Sequence, residues 1–158
     1  MRPPGEVGCD GEGIRRRAGG EAAAPGGGHP ATIVGGGLGR DCAPLVCIEG
    51  MPAAAQQSLL SQLAQAGARL CYHGDFDWPG VRIANYVMRG FGATPWRFGA
   101  TDYEAALRTA PSLGHSLKGK PVEASWDAAL APAMQQHRIS IAEEALAASL
   151  LQDLDARY

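Results

Sequence analysis

From Asp41 onward, short apolar runs alternate with amphipathic stretches. Leu45 to Glu49, LVCIE, reads as a short buried strand, with Gly50 to Pro52 as its turn. Residues 53–66, AAAQQSLLSQLAQA, have helical spacing with Leu59, Leu60 and Leu63 inward and Gly67 as the stop. ARLCYH at 68–73 predicts a second strand and VRIANYVMR a helix burying Val81, Ala84, Val87 and Met88, ended by Gly90. TPWRF at 94–98 predicts a third strand. Thr101 and Glu104 have capping-box spacing, which starts a helix near Asp102. A loop over 111–125 and two helices, over about 126–137 and 141–155, complete the pattern, with Ser140 and Glu143 as a second capping box. Strands alternating with helices predict an α/β domain over 41–158, a small parallel sheet with helices on both faces.

The first 40 residues show no such period. They hold thirteen of the 22 glycines and few large apolar residues, so their ordering entropy has little burial to offset it. A disordered Gly/Pro-rich leader is expected over 1–40. Arg15, Arg16 and Arg17 within it read first as a solvated charge run.

A net charge of −2 advertises neither a nucleic-acid nor a membrane surface. No run approaches the ~20 apolar residues of a membrane span, and no secretory signal is visible. Cys9, Cys42, Cys47 and Cys71 match no compact disulfide scaffold, so reduced thiols and a cytoplasmic location are expected.

The second strand runs into GDFDWPG, residues 74–80. Ligands of parallel α/β sheets bind beyond the carboxyl ends of the strands, where Asp75 and Asp77 fall. In extended backbone, residues i and i+2 point the same way. Two such carboxylates repel, and a divalent cation relieves the repulsion; Mg²⁺ takes oxygen ligands and shares its shell with water and phosphate. Pro79 suits a helix start, Gly80 permits a close approach, and the helix N-terminus aims N–H groups at an anion within reach of Arg82. Turn-forming Asp, Gly and Pro with an Asp cap would give the same string without a metal.

DxDxxG between strand and helix resembles the aspartate motif of Toprim domains. The longer HGDFDWPGVRIAN, with LVCIEGMPAAAQQSLLSQL, GATPWRFGATDYEAAL, GKPVEASWDAAL and EEALAASLLQDL, resembles the C-terminal Toprim-like domain of SMC-associated nucleases of Wadjet-type plasmid defence, relatives of the topoisomerase VI A subunit. The likeness spans roughly residues 38–158. It implies a Toprim-like fold and a Mg²⁺- or Mn²⁺-dependent DNA nuclease, with Asp75 and Asp77 as catalytic metal ligands. The implied partners are DNA and SMC/condensin-like subunits, with a homodimer as a further expectation and no membrane. The family's catalytic glutamate usually stands as Glu-Asn-Pro. Here the nearest counterpart is Gly28-His29-Pro30, and the family's larger N-terminal region gives way to the leader, the look of a truncated or altered start. Glu49, at the end of its own strand, is the substitute acid considered; Glu143 is accounted for by its capping box.

Arg82, His73 and Gly80 are the expected phosphate or DNA contacts, His73 also as an organiser of the Asp75 loop. Cys71 and His73 share a strand face, but without a CxxC pair zinc has little support. Trp78, Trp96 and Trp126 read as core or rim, and Lys118 and Lys120 as exposed loop lysines. Two other classes stand beside the nuclease: a non-catalytic DNA- or protein-interaction module, and a phosphohydrolase with Asp75 as nucleophile, disfavoured by Trp78-Pro79 after the second aspartate.

Overall fold

The computed structural model describes residues 30–36, 45–109 and 114–157, with 30–36 and 155–157 as backbone alone. Most of the expected leader, with Arg15 to Arg17, Cys9, Cys42 and His29, lies outside the described residues.

The chain is an α/β domain. β1 (Pro30–Gly36), β2 (Leu45–Glu49), β3 (Arg69–Gly74) and β4 (Thr94–Pro95) form one sheet in the order β2-β1-β3-β4. β1 runs antiparallel to both β2 and β3, while β3 and β4 are parallel. The two strands expected to neighbour each other, β2 and β3, do run the same way, but β1 separates them. Pattern reading missed β1 because PATIVGG sits among glycines, inside the stretch assigned to the leader.

α1 (Ala54–Gln65) buries Leu60 and half-buries Leu63, but Leu59 is exposed. Leu60 and Leu63 face inward as expected, and Leu59 falls just outside the buried arc of the helix. α2 (Trp78–Phe91) starts three residues earlier than the apolar spacing suggests and ends beyond Gly90, at Gly92, whose φ of 68° places it in the left-handed cap conformation. Val81, Ala84, Val87 and Met88 are buried as the spacing predicts.

The TPWRF strand is short, because Arg97 turns the chain out of extended geometry with φ 48°. Trp96 packs with Leu150 instead, and its indole Nε1 donates to Asp153 over 2.6 Å, which ties α5 (Ala147–Arg157) to the sheet edge. α3 (Ala100–Thr109) is not opened by a Thr101–Glu104 box. Asp127 and Asp102 accept the N–H groups of Ala100 and Gly99 over 2.7 and 3.0 Å, respectively.

The expected loop over 111–125 contains β5 (Gly114–Ser116), which pairs antiparallel with β6 (Ile139–Ile141). α4 (Leu130–His137) is the shortened remnant of the helix expected from 126. Asn85 of α2, buried, fastens the connecting segment from below: its amide donates to the Glu123 carbonyl (2.7 Å) and accepts from the Ser125 N–H (2.9 Å).

The core gathers Ile48, Leu60, Leu70, Tyr72, Phe76, Val81, Phe98, Tyr103, Leu130, Met134 and Ile141. Phe76 stands between Asp75 and Asp77, and its ring lies 4.8 Å from Phe98 and 5.3 Å from Tyr103. The residue separating the two acids therefore anchors their loop to the core.

Candidate metal centre

β3 ends at Gly74 and the backbone does not turn at once. Phe76 pairs with Ile141 at the end of β6: its N–H donates to the Ile141 carbonyl (2.9 Å) and its carbonyl accepts from the Ile141 N–H (3.3 Å). This short bridge brings the residues after β6 against Asp75. Asp75 is buried at 4 % exposure, and its Oδ1 accepts the backbone N–H of Glu143 over 2.7 Å. Glu143, at 9 % exposure, is buried beside it.

No capping box accounts for Glu143. Ser140 lies in β6 and donates its hydroxyl to the His115 carbonyl, while Ala142 caps the 3-10 turn Glu143–Leu146. The same Ser-x-x-Glu spacing arose from a strand followed by a turn, which is why the local pattern misled.

Asp77 is the N-cap of α2. Its Oδ1 accepts the Gly80 N–H over 2.6 Å, the role the cap reading required. The array of helix N–H groups expected to face an anion is thereby largely used within the chain: Pro79 has no N–H, and Gly80 donates to Asp77. Gly80 has a steric reason instead. A Cβ there would overlap the Asp75 carbonyl oxygen and lie 3.1 Å from Asp77 Oδ1.

Tyr72 lies under this loop. It is fully buried, and among the described residues its hydroxyl has no hydrogen-bond partner. A Cβ at Gly74 would lie 2.9 Å from that hydroxyl oxygen, so glycine there leaves room for the phenol on the side toward Asp75. Burial pushes the phenol pKa well above its usual range, and the negative charges of Glu143, Asp75 and Asp77 push it further, in that order.

The other expected site residues are placed differently. His73 is enclosed by Phe76, Trp96 and Phe98, and its Nδ1–H donates to the Trp96 carbonyl over 2.9 Å. It is fully buried, which gives the ring no surface for a phosphate, and burial lowers its pKa to about 4. Glu49 is exposed at the end of β2. It shares the sheet edge with Gly74, but the pairings of Pro30 with Glu49 and Ala31 with Gly74 put β1 between them, roughly 10 Å across two strand spacings. Arg82 is exposed on the outer side of α2, lining a cleft with α1.

Lys118 and Lys120 are exposed, and Gly119 between them rests on Trp78, to whose Cδ1 a Cβ there would approach within 3.5 Å. Two lysines forty residues away in sequence are so brought to the capped end of α2.

The donors at this edge, Asp75, Asp77 and Glu143, are hard oxygens, the chemistry of Mg²⁺ or Mn²⁺ rather than zinc. Among the described residues no three His, Cys, Asp or Glu side chains close on one metal-sized point. Mg²⁺ does not require that, since one or two carboxylates with water and substrate phosphate complete its shell. The donor set fits such an ion. Cys47 and Cys71 are free thiols, and Cys71 contacts the Thr94 hydroxyl at 3.7 Å.

An α/β domain with a carboxylate-rich loop at the carboxyl end of a central strand is the class of protein that the fold and this edge define. The chain belongs to the family described as protein of unknown function C-terminus (DUF2399), which matches residues 31–154. That match begins at β1, so the strand missed by pattern reading lies inside the family's domain. No curated protein and no solved structure matches the chain. No described helix is long and apolar enough to cross a membrane.

Proposed function

We propose that this domain is a Toprim-like, divalent-metal-dependent nuclease module that cleaves phosphodiester bonds in DNA, in the setting of SMC-associated plasmid defence. The observation that carries the reading is the buried Asp75 beyond the carboxyl end of β3, tied by its Oδ1 to the backbone of Glu143, with Asp77 two residues on as the cap of α2. Asp75 and Asp77 would hold Mg²⁺, with Glu143 as the third acid in place of the family glutamate. A bound divalent cation supplies charge neutralisation at the scissile phosphate and acidifies its bound water.

The chain's own residues do the rest. The Glu143 N–H fixes the rotamer of Asp75, and the Gly80 N–H fixes that of Asp77, so both acids are held before any ligand arrives. Phe76 and its bridge to Ile141 keep the loop seated on the core. Lys118 and Lys120, beside Trp78, offer cations to the DNA backbone at the same end of α2.

Calorimetric titration of Mn²⁺ into the full chain, beside Asp77→Asn and Glu143→Gln, tests this. Saturable binding by the parent that is lost in both variants is the expected result, followed by Mg²⁺-dependent nicking of plasmid DNA. Equal weak heats from all three chains would overturn the metal assignment and leave a non-catalytic interaction module.

A further inference from the structure

Away from the acids, α1 and α2 enclose a cleft of about 620 Å³ lined in part by Met51, Gln57, Arg82, Tyr86, Arg89 and Phe91. Arg82, Tyr86 and Arg89 stand at i, i+4 and i+7, one face of α2. Neither helix contributes a carboxylate: α1 carries no charge at all, and α2 carries only the two arginines. Arg89 is held along the helix by its Nε–H, which donates to the Asn85 carbonyl over 3.0 Å. Tyr86 is 36 % exposed and lies edge-on to Phe91 at 6.0 Å, and Met51 across the cleft is 50 % exposed. A cation, an aromatic ring and a second cation therefore follow one another along one face of α2.

We propose that this cleft binds a single nucleic-acid strand, with Arg82 and Arg89 on phosphates about three nucleotides apart and a base against Tyr86. The two arginines are about 10 Å apart along the helix axis at ~1.5 Å per residue. About three stacked nucleotides cover that length at roughly 3.4 Å each. Alternation of backbone cations with an aromatic platform is how single strands are held without regard to sequence. An acidic peptide would use the arginines, but it would have no use for the flat apolar surface of Tyr86, Phe91 and Met51 between and beside them. Arg82 lies only about 8 Å of helix rise beyond Asp77, so a strand lying in the cleft leads toward the acid loop. The inference rests on the reading of DNA as substrate and adds where one strand is gripped.

The test is fluorescence anisotropy of a labelled oligothymidylate with the full chain in EDTA, where neither metal nor cleavage contributes. The parent is expected to bind saturably. Arg82→Ala/Arg89→Ala should bind at least about tenfold more weakly, and its dependence of log affinity on log salt should flatten by roughly 1.4, two contacts at ~0.7 each. Arg82→Lys/Arg89→Lys should retain most of the affinity, and Tyr86→Ala should lose about tenfold through its stacking contact. Thermal melts of each variant exclude misfolding as the cause. Absence of saturable binding by the parent, equal affinity of parent and double alanine variant, or equal displacement by polyglutamate would overturn the proposal. Failure of the metal titration with this pattern intact would remove the nuclease reading and leave the cleft standing.

Discussion

The backbone N–H of Glu143 donates to Oδ1 of Asp75 over 2.7 Å, a bond that spans 68 positions of sequence and is buried at both ends. It makes the aspartate a structural acceptor as well as a candidate ligand, and the two roles separate by substitution. Asp75→Asn retains an oxygen able to accept from Glu143, whereas Asp75→Ala leaves a buried N–H unpaired at a cost of about 1–3 kcal/mol. Urea denaturation should therefore show the alanine variant less stable than the asparagine variant by about that amount. Equal stabilities would mean that the bond contributes nothing to the fold.

Two glycines of α2 should respond in opposite directions. In a helix interior alanine is better than glycine by about 1 kcal/mol. At Gly90 a Cβ meets nothing within 4 Å, so Gly90→Ala should raise stability by up to that amount. At Gly80 the Cβ overlaps the Asp75 carbonyl and crowds Asp77, so Gly80→Ala should lower stability by about 1–3 kcal/mol and weaken Mn²⁺ binding by shifting both acids. Parallel melting curves of the two variants check the sign, and a stabilised Gly80→Ala would contradict the packing described for the loop.

Sequence made the fold class legible because the apolar run at 69–74 and the helical spacing at 81–88 agree with their burial, whereas the strand at 45–49, expected to be buried, buries only Ile48. It placed Asp75 and Asp77 just beyond the end of a strand and at a helix start, where the structure has them, because strand, acid pair and Pro-Gly follow one another without interruption. It did not reveal β1, whose flanking glycines dilute the apolar signal and whose pairing is wholly with distant strands. Nor did it reveal Glu143, because the contact with Asp75 depends on the Phe76–Ile141 bridge, and the nearby Ser140 offered a plausible local explanation. His73 was misplaced for a related reason. Proximity in sequence to Asp75 suggested a shared surface, but strand alternation and the Trp96 carbonyl turn the ring into the aromatic core.

That burial of His73 makes stability depend on pH. Its pKa falls from 6.5 unfolded to about 4 folded, because the interior penalises the imidazolium. The unfolded chain then binds the extra proton, so the contribution is fully present above pH ~6.5 and is lost as pH falls from there through about 4. At ~1.4 kcal/mol per unit the full loss is about 3 kcal/mol. Denaturation midpoints at pH 7 and pH 4.5 should differ more for the parent than for His73→Gln, which keeps an N–H for the Trp96 carbonyl and carries no titrating ring. An identical acid sensitivity in both would place the responsible groups elsewhere.

Tyr72→Phe separates a packing role from a site role at the hydroxyl. The phenol oxygen is buried and, among the described residues, has no hydrogen-bond partner, so its desolvation goes without a compensating bond from them. Removing the oxygen keeps the ring, which packs edge-on to Phe98 at 5.9 Å. In EDTA the variant should be as stable as the parent or more so by about 1 kcal/mol. If the hydroxyl serves the ligand shell by donating to a metal-bound water, Mn²⁺ should bind severalfold more weakly to the variant despite its unimpaired fold. The difference between the melting temperatures with and without Mn²⁺ reads both effects in one experiment, since a ligand stabilises only by its affinity for the folded chain. A variant that melts higher in EDTA and gains less from Mn²⁺ is the expected outcome. One that gains as much as the parent would confine Tyr72 to packing.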